Sequence, residues 1–161
     1  MNQKLFIDLD GVLGDTLGYA SLLFGGEWGF ESNFKELIPK INEYGRFYLD
    51  QPLMPDAMLL WGSLQYLNPI ILTGIHSDIP NMTEQKKQWV WNHFGGDAQV
   101  ICCKSQDKHK HGRPGDILID DRIRYSHLWI DMGGFFIHHR SATESIAHLA
   151  HIYALMAANR P

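Results

Sequence analysis

Four aspartates in two pairs carry the most direct chemistry in this chain. Asp8 and Asp10 stand one residue apart in KLFIDLDGVLGDT (4–16), and Asp120 and Asp121 are adjacent in DILIDD (116–121). Each pair ends a short apolar run, Leu5-Phe6-Ile7 in the first case and Ile117-Leu118-Ile119 in the second. Side chains two apart on an extended strand point to the same face, so Asp8 and Asp10 can lean over one spot. Carboxylates held that close repel unless a cation sits between them or one keeps its proton. A hard divalent cation such as Mg²⁺, which takes oxygen ligands, meets that need. A lone Asp-x-Asp is more often a solvated strand end or a helix N-cap. Two apolar strands that each end in paired acids point to a metal site.

The elements that must position these acids follow from apolar periodicity and from turn residues. Gly11 marks a sharp turn after the first strand, where φ > 0 is available to glycine. A flap over 11–18 then leads into a helix near 19–24, which Gly25-Gly26 ends. Residues 27–55 are rich in aromatics, Trp28, Phe30, Phe34, Tyr44, Phe47 and Tyr48, and read as a small helical subdomain packed on them. A helix over 56–67 follows, stopped by Asn68-Pro69, then a strand over 69–72 with Thr73 at its end. Asn81-Met82-Thr83-Glu84 resembles a capping box for a helix with the stripe Trp89, Val90, Phe94. A strand over 98–103 leads to a basic loop bearing Lys104, Lys108, His109, Lys110, His111 and Arg113. Strands over 116–119 and 134–137 come next. Ser141-x-x-Glu144 caps a last helix with the stripe Ile146, Leu149, Tyr153, Met156. Strands alternating with helices imply an α/β fold, a parallel sheet covered on both faces. Such sheets bind ligands at the carboxyl ends of their strands, where Asp8, Thr73 and Asp120 fall.

At 161 residues the chain reads as one domain able to bury its own core. Its formal net charge of −4 gives no electrostatic grip on long nucleic acid or an anionic membrane. Cys102 and Cys103 are adjacent, which disfavours a disulfide between them. Together with His109, His111, His138 and His139 they lack the CxxC or HxxxH spacing of a zinc site. With no signal peptide or long apolar span, a cytosolic location is the default expectation.

The string DLDGVLGDT resembles the first signature of the haloacid dehalogenase superfamily. Ile70-Ile71-Leu72-Thr73-Gly74 is similar to the second signature, and ILIDD at 117–121 to the fourth. The resemblance implies a three-layer, Rossmann-like parallel sheet with core 1–18 and 56–161 and a small helical cap inserted over about 19–55. It implies a Mg²⁺-dependent phosphatase in which Asp8 is both nucleophile and metal ligand. Asp10 would be the general acid and base, lending its backbone carbonyl to the metal. Dehalogenases of the superfamily lack an acid at that place, so Asp10 favours phosphoryl chemistry. Asp120 and Asp121 would complete the metal site, and Thr73 would donate to a phosphoryl oxygen. The backbone of Leu9, Asp10 and Gly74 would help to cradle the phosphate. The third signature is a lysine. Ser105-Gln106-Asp107-Lys108 most resembles its loop, so Lys108 is expected there and Lys104 stands second. Lys40, Lys86 and Lys87 read as solvated helix faces.

ILIDDR with Trp129 and Gly133-Gly134, and less specifically the segment 47–60 with Pro52 and Pro55, resemble the 5'(3')-deoxyribonucleotidase branch and its phage and bacterial relatives. Gly14 departs from that branch, where Ala is common. The implied substrate is a small phosphate ester, extending to a nucleoside monophosphate whose base stacks on Phe24, Trp28 or Phe47. Two alternatives stand beside this reading. One is a catalytically silent binding module, which loss of Asp8, Asp10 or the acidic pair would favour; all are present. The other is a phosphatase of nucleic-acid ends, which the acidic balance disfavours and an open cleft would permit.

Overall fold

The computed structural model describes residues 3–158, so residues 1–2 and 159–161 of the expected 1–161 span lie outside the described residues. The chain runs β1 (Leu5–Ile7), α1 (Thr16–Phe24), α2 (Phe34–Tyr44), α3 (Phe47–Asp50), α4 (Ala57–Leu64), β2 (Ile70–Gly74), α5 (Met82–Phe94), β3 (Gln99–Cys103), β4 (Ile117–Asp120), α6 (Ser126–Asp131), β5 (Phe135–His138) and α7 (Ala142–Ala158). Two 3₁₀ turns, Gln65–Leu67 and Ser105–His111, join them. All strand pairs are parallel, in the order β3-β2-β1-β4-β5. This is the α/β architecture expected from the alternation of elements.

Strand alternation divides the core in two. Leu5, Ile7, Ile71, Ile117 and Ile119 face one way and pack with Leu60, Trp61 and Leu64 of α4, Trp89 and Val90 of α5 and Leu149 of α7. Phe6, Ile70, Leu72 and Leu118 face the other way against Trp129 of α6. Phe6 and Trp129 meet edge to face, their ring centroids 5.3 Å apart. Each such aliphatic side chain, fully buried, contributes roughly 1.5–3 kcal/mol. The chain steps outward from β1 to β3, then returns to the far side of β1. Right-handed crossovers made in opposite directions put their helices on opposite faces, which matches α4 and α5 on one face and α6 on the other.

Register carries the acids into one place. Ile7 pairs with Ile71 on one side and Ile119 on the other. The next residues along β1 and β4 are therefore Asp8 and Asp120, side by side, and the Asp8 N–H donates to the Ile119 carbonyl at 2.9 Å. They sit at the carboxyl ends of the two strands where the chain order reverses, the crevice in which open α/β sheets bind ligands.

Between β1 and α4, helices α1–α3 share an apolar cluster of their own: Ala20, Leu37, Ile38, Ile41, Phe47 and Tyr48, joined by Ile79 and Met82 from beyond β2. Two local expectations change. The 81–84 capping box does not form: Asn81 takes left-handed backbone (φ 59°) and makes no side-chain cap bond, so its oxygen is turned away from the first helical amides. The helix expected over 56–67 ends its α-helical part at Leu64, and its last turn tightens to 3₁₀ before Asn68, left-handed at φ 50°, stops it. The Ser141 cap does form, its Oγ accepting from the Glu144 N–H at 3.2 Å. Among the described residues no helix is long and apolar enough to cross a membrane.

Candidate active site

The tight turn after β1 sets the first half of the site. Three amides, of Val12, Leu13 and Gly14, converge on the Leu9 carbonyl, and the Gly11 N–H donates to the Gly14 carbonyl at 2.8 Å. Gly11 has φ 80°, and a Cβ there would collide with the Asp121 carboxylate. Glycine is required here both by the backbone and by the approach of the second acidic pair.

Asp8, Asp120 and Asp121 each bring one oxygen into a group whose members all lie within 4.8 Å of one another. Lys108, buried on the 3₁₀ turn after β3, reaches Asp8 Oδ1 at 2.8 Å and Asp120 Oδ2 at 2.7 Å. One ammonium bridges two of the three carboxylates. Burial, then the charge of Asp120, push the Asp8 carboxyl up to about 7. Burial, then Asp8 and Asp120, push Asp121 up to about 8. Burial alone would lower the Lys108 ammonium, but Asp8 and Asp120 outweigh it and raise its pKa. Asp121 Oδ1 is buried with no hydrogen-bond partner among the described residues. A hard cation among these oxygens would supply the missing partner and relieve the mutual repulsion. The acids are held from behind: the Arg122 N–H donates to Asp120 Oδ1 at 2.9 Å, and His138 Nε2 lies 3.0 Å from the Asp121 carbonyl.

Asp10 belongs to a different group. Thr16 donates to its Oδ1 at 2.9 Å, and Lys86 Nζ lies 2.5 Å from its Oδ2. Lys86 also reaches Thr73 Oγ1 at 2.9 Å and the Gly74 carbonyl at 2.5 Å, so each ammonium hydrogen has an acceptor. The expected solvated face for Lys86 is wrong. The residue is fully buried, while its neighbour Lys87 is exposed. Met82, Lys86, Trp89 and Val90 are the buried residues of α5, at helical spacing on one face. Extending the Trp89–Val90 stripe back one turn lands on Lys86, and that was the signal available.

The remaining expected residues are placed as follows. Thr73 is fully buried beneath the site and held by Lys86. The Leu9 N–H donates to Asp8 Oδ1 at 2.8 Å. Gly74 and Lys104 line a cleft of about 750 Å³ that opens over Asp8 and Asp10. Phe24, Trp28 and Phe47, expected to stack on a base, do not line it. They pack into the apolar cluster of α1–α3, Phe24 and Phe47 stacking at 6.1 Å. The aromatic wall comes from Phe30, Phe34, Tyr48 and Tyr125. Arg122 lies over the Phe30 ring at 5.0 Å, and Glu31 pairs with both Arg122 and Arg124. This double ion pair ties the 25–33 connection to the loop after β4.

No protein-family model matches this chain, and no curated protein does. Solved structures do match. The chain is similar to a hydrolase from Streptococcus pneumoniae TIGR4, with a TM-score of 0.54 over 96% of this chain and 100% of that one, at 15% identity. A likeness at that identity is one of fold. Fold and site together define a three-layer α/β protein with an acidic centre at the carboxyl edge of its parallel sheet.

Proposed function

We propose that this chain is a Mg²⁺-dependent phosphomonoester hydrolase of the haloacid dehalogenase type, working through an aspartyl-phosphate on Asp8. The observation that carries the reading is the convergence of Asp8, Asp120 and Asp121 beside a separately gripped Asp10. The fold neighbour's being a hydrolase agrees with it. The acidic trio fits Mg²⁺: every donor is a hard oxygen, one buried oxygen lacks a partner, and the carboxylates outnumber the local ammonium. Asp8 and Asp120, Asp121 directly or through water, and the Asp10 carbonyl would hold the ion. When bound, it supplies charge neutralisation at the phosphate and fixes its orientation.

The side chains have distinct tasks. Lys108 holds the Asp8 carboxylate in place for attack on phosphorus. A new Asp8 Oδ–P bond forms as the P–O ester bond breaks, and the departing alkoxide takes a proton from Asp10. Water then attacks the same phosphorus, giving its proton to Asp10 and freeing Asp8 and inorganic phosphate. Thr16 and Lys86 hold the two Asp10 oxygens through both steps. Phe30 and Phe34 offer flat apolar surface to a leaving group at the cleft wall, which suits a nucleoside monophosphate, the substrate this proposal favours. Base–aromatic stacking elsewhere is worth roughly 1–3 kcal/mol.

The test is turnover of nucleoside monophosphates, sugar phosphates and p-nitrophenyl phosphate, with and without Mg²⁺. Mg²⁺-dependent release of phosphate, fastest from nucleotides, is the expected result. No hydrolysis of any ester would overturn the enzyme; equal kcat/KM for nucleotides and sugar phosphates would remove only the nucleotide.

A further inference from the structure

Tyr48, on α3, is fully buried and lines the cleft together with Asp8 and Asp10. Its hydroxyl has no hydrogen-bond partner among the described residues. Buried polar groups are nearly always paired, and a tyrosine hydroxyl in an interior usually finds an acceptor. The rest of the residue is fixed. Its N–H donates to Gln85 Oε1 at 3.1 Å, Phe47 meets its ring edge-on at 5.2 Å, and Lys86 Nζ stands 4.9 Å from its ring centroid. Such a side chain cannot swing out to water. Nor does it hydrogen-bond to Asp10, whose oxygens accept from Thr16 and Lys86 instead. Burial, then the Asp10 charge, push the phenol well above its ordinary pKa, so it remains a donor.

A permanent donor with no protein acceptor, in the wall of the cleft beside the acid–base carboxylate, calls for an acceptor on the ligand. We infer that the Tyr48 hydroxyl binds substrate, donating to the phosphate-ester oxygen on the Asp10 side, where the leaving group departs. The inference rests on the phosphomonoesterase reading and adds a residue to it. Charge builds on that oxygen as the P–O bond breaks, so a donor aimed there stabilises the transition state more than the bound substrate. The orphaned hydroxyl destabilises the free protein and is satisfied only when the ester is bound.

Tyr48→Phe removes the hydroxyl and keeps the ring. With Mg²⁺, kcat/KM for p-nitrophenyl phosphate and for a nucleoside monophosphate should fall about ten- to a hundredfold. The larger loss is expected for the nucleotide, whose alkoxide is the poorer leaving group. Tm should hold or rise, because an unpaired buried donor has gone. Unchanged kcat/KM overturns the inference, and so does a parallel fall in kcat/KM and Tm, which would make the hydroxyl structural. If the wild-type protein hydrolyses no ester, the enzymatic reading fails and the donor is read by calorimetric titration with inorganic phosphate and Mg²⁺. Phosphate carries an oxygen at the same place. Binding about tenfold weaker in Tyr48→Phe would then uphold the donor; equal affinity, or no binding to wild type, would refute it.

Discussion

Asp8 and Asp10 are two residues apart on the same strand end, yet the structure gives them opposite surroundings. Around Asp8, three carboxylates crowd together and one ammonium bridges two of them, one buried oxygen is left over, and burial followed by mutual repulsion drives two of the acids upward. Around Asp10, one carboxylate faces one ammonium, each oxygen has a donor, and the lysine's three hydrogens are all taken. The first cluster holds excess negative charge and an unpaired oxygen, which the proposed cation would offset; in the second each charge has its partner. Paired titratable groups whose surroundings differ in this way commonly divide nucleophile from acid–base duty.

The comparison can be broken most sharply at the two aspartates. Asp8→Asn should lower kcat by about 10⁴-fold or more, since the amide neither attacks phosphorus nor ligates well. The same change should raise the Tm of the metal-free protein at pH 8, because it removes one of the crowded charges. Asp10→Asn should slow turnover but lower Tm, because it leaves the Lys86 ammonium buried without its carboxylate. Thermal melts of the two variants beside wild type check the opposite signs; shifts of the same sign would erase the distinction.

The lysines sharpen it next. Removing one partner of a buried ion pair typically destabilises by about 3–5 kcal/mol. Lys86→Met should show a loss of that size in urea unfolding, with or without Mg²⁺. Lys108→Met leaves its loss at the acidic cluster, where a divalent cation can replace the ammonium, so Mg²⁺ should restore much of the stability. Equal Mg²⁺ responses in the two variants would argue against a metal at Asp8.

A smaller effect is expected from pH. Asp8 and Asp121 are raised from 3.8 to about 7 and about 8, so the folded chain keeps protons that the unfolded chain has released. Metal-free stability should therefore fall as pH rises from about 4 to about 8 and level off above that. Added Mg²⁺ should raise Tm more at pH 8 than at pH 5, as scanning calorimetry would show. The smallest effect belongs to the surface: Glu31→Gln, at a half-exposed ion pair, should move Tm by less than about 3 °C.

The acidic floor was legible because it depends on short-range rules. Strand period aims Asp8, apolar runs mark β1 and β4, and parallel pairing of the two sets Asp120 beside Asp8. The strands and the longer helices followed from the same periodicity, while the short helix α6 between β4 and β5 was not marked by it. Lys86 was half legible: its place in the α5 stripe was visible, but a lysine on a helix is so often solvated that the stripe was read without it. The cap aromatics divided against expectation, because nothing in the spacing of Phe24, Phe30 and Phe47 tells which side faces a neighbouring helix and which faces open cleft.

By itself, then, the sequence determined the strands, their parallel sense, their ends and the residue types that sit there, since these follow from local conformation and the alternation of strands with helices; strand order and register came with the fold. Only the tertiary structure decided the partnerships: Lys108 with Asp8 and Asp120, Lys86 with Asp10, Glu31 with arginines 91 and 93 residues away, and the Tyr48 hydroxyl with none. Such pairings depend on how separate elements pack in three dimensions, and the desolvation that sets the charge of Asp8 and Asp121 exists only once the chain has closed around them.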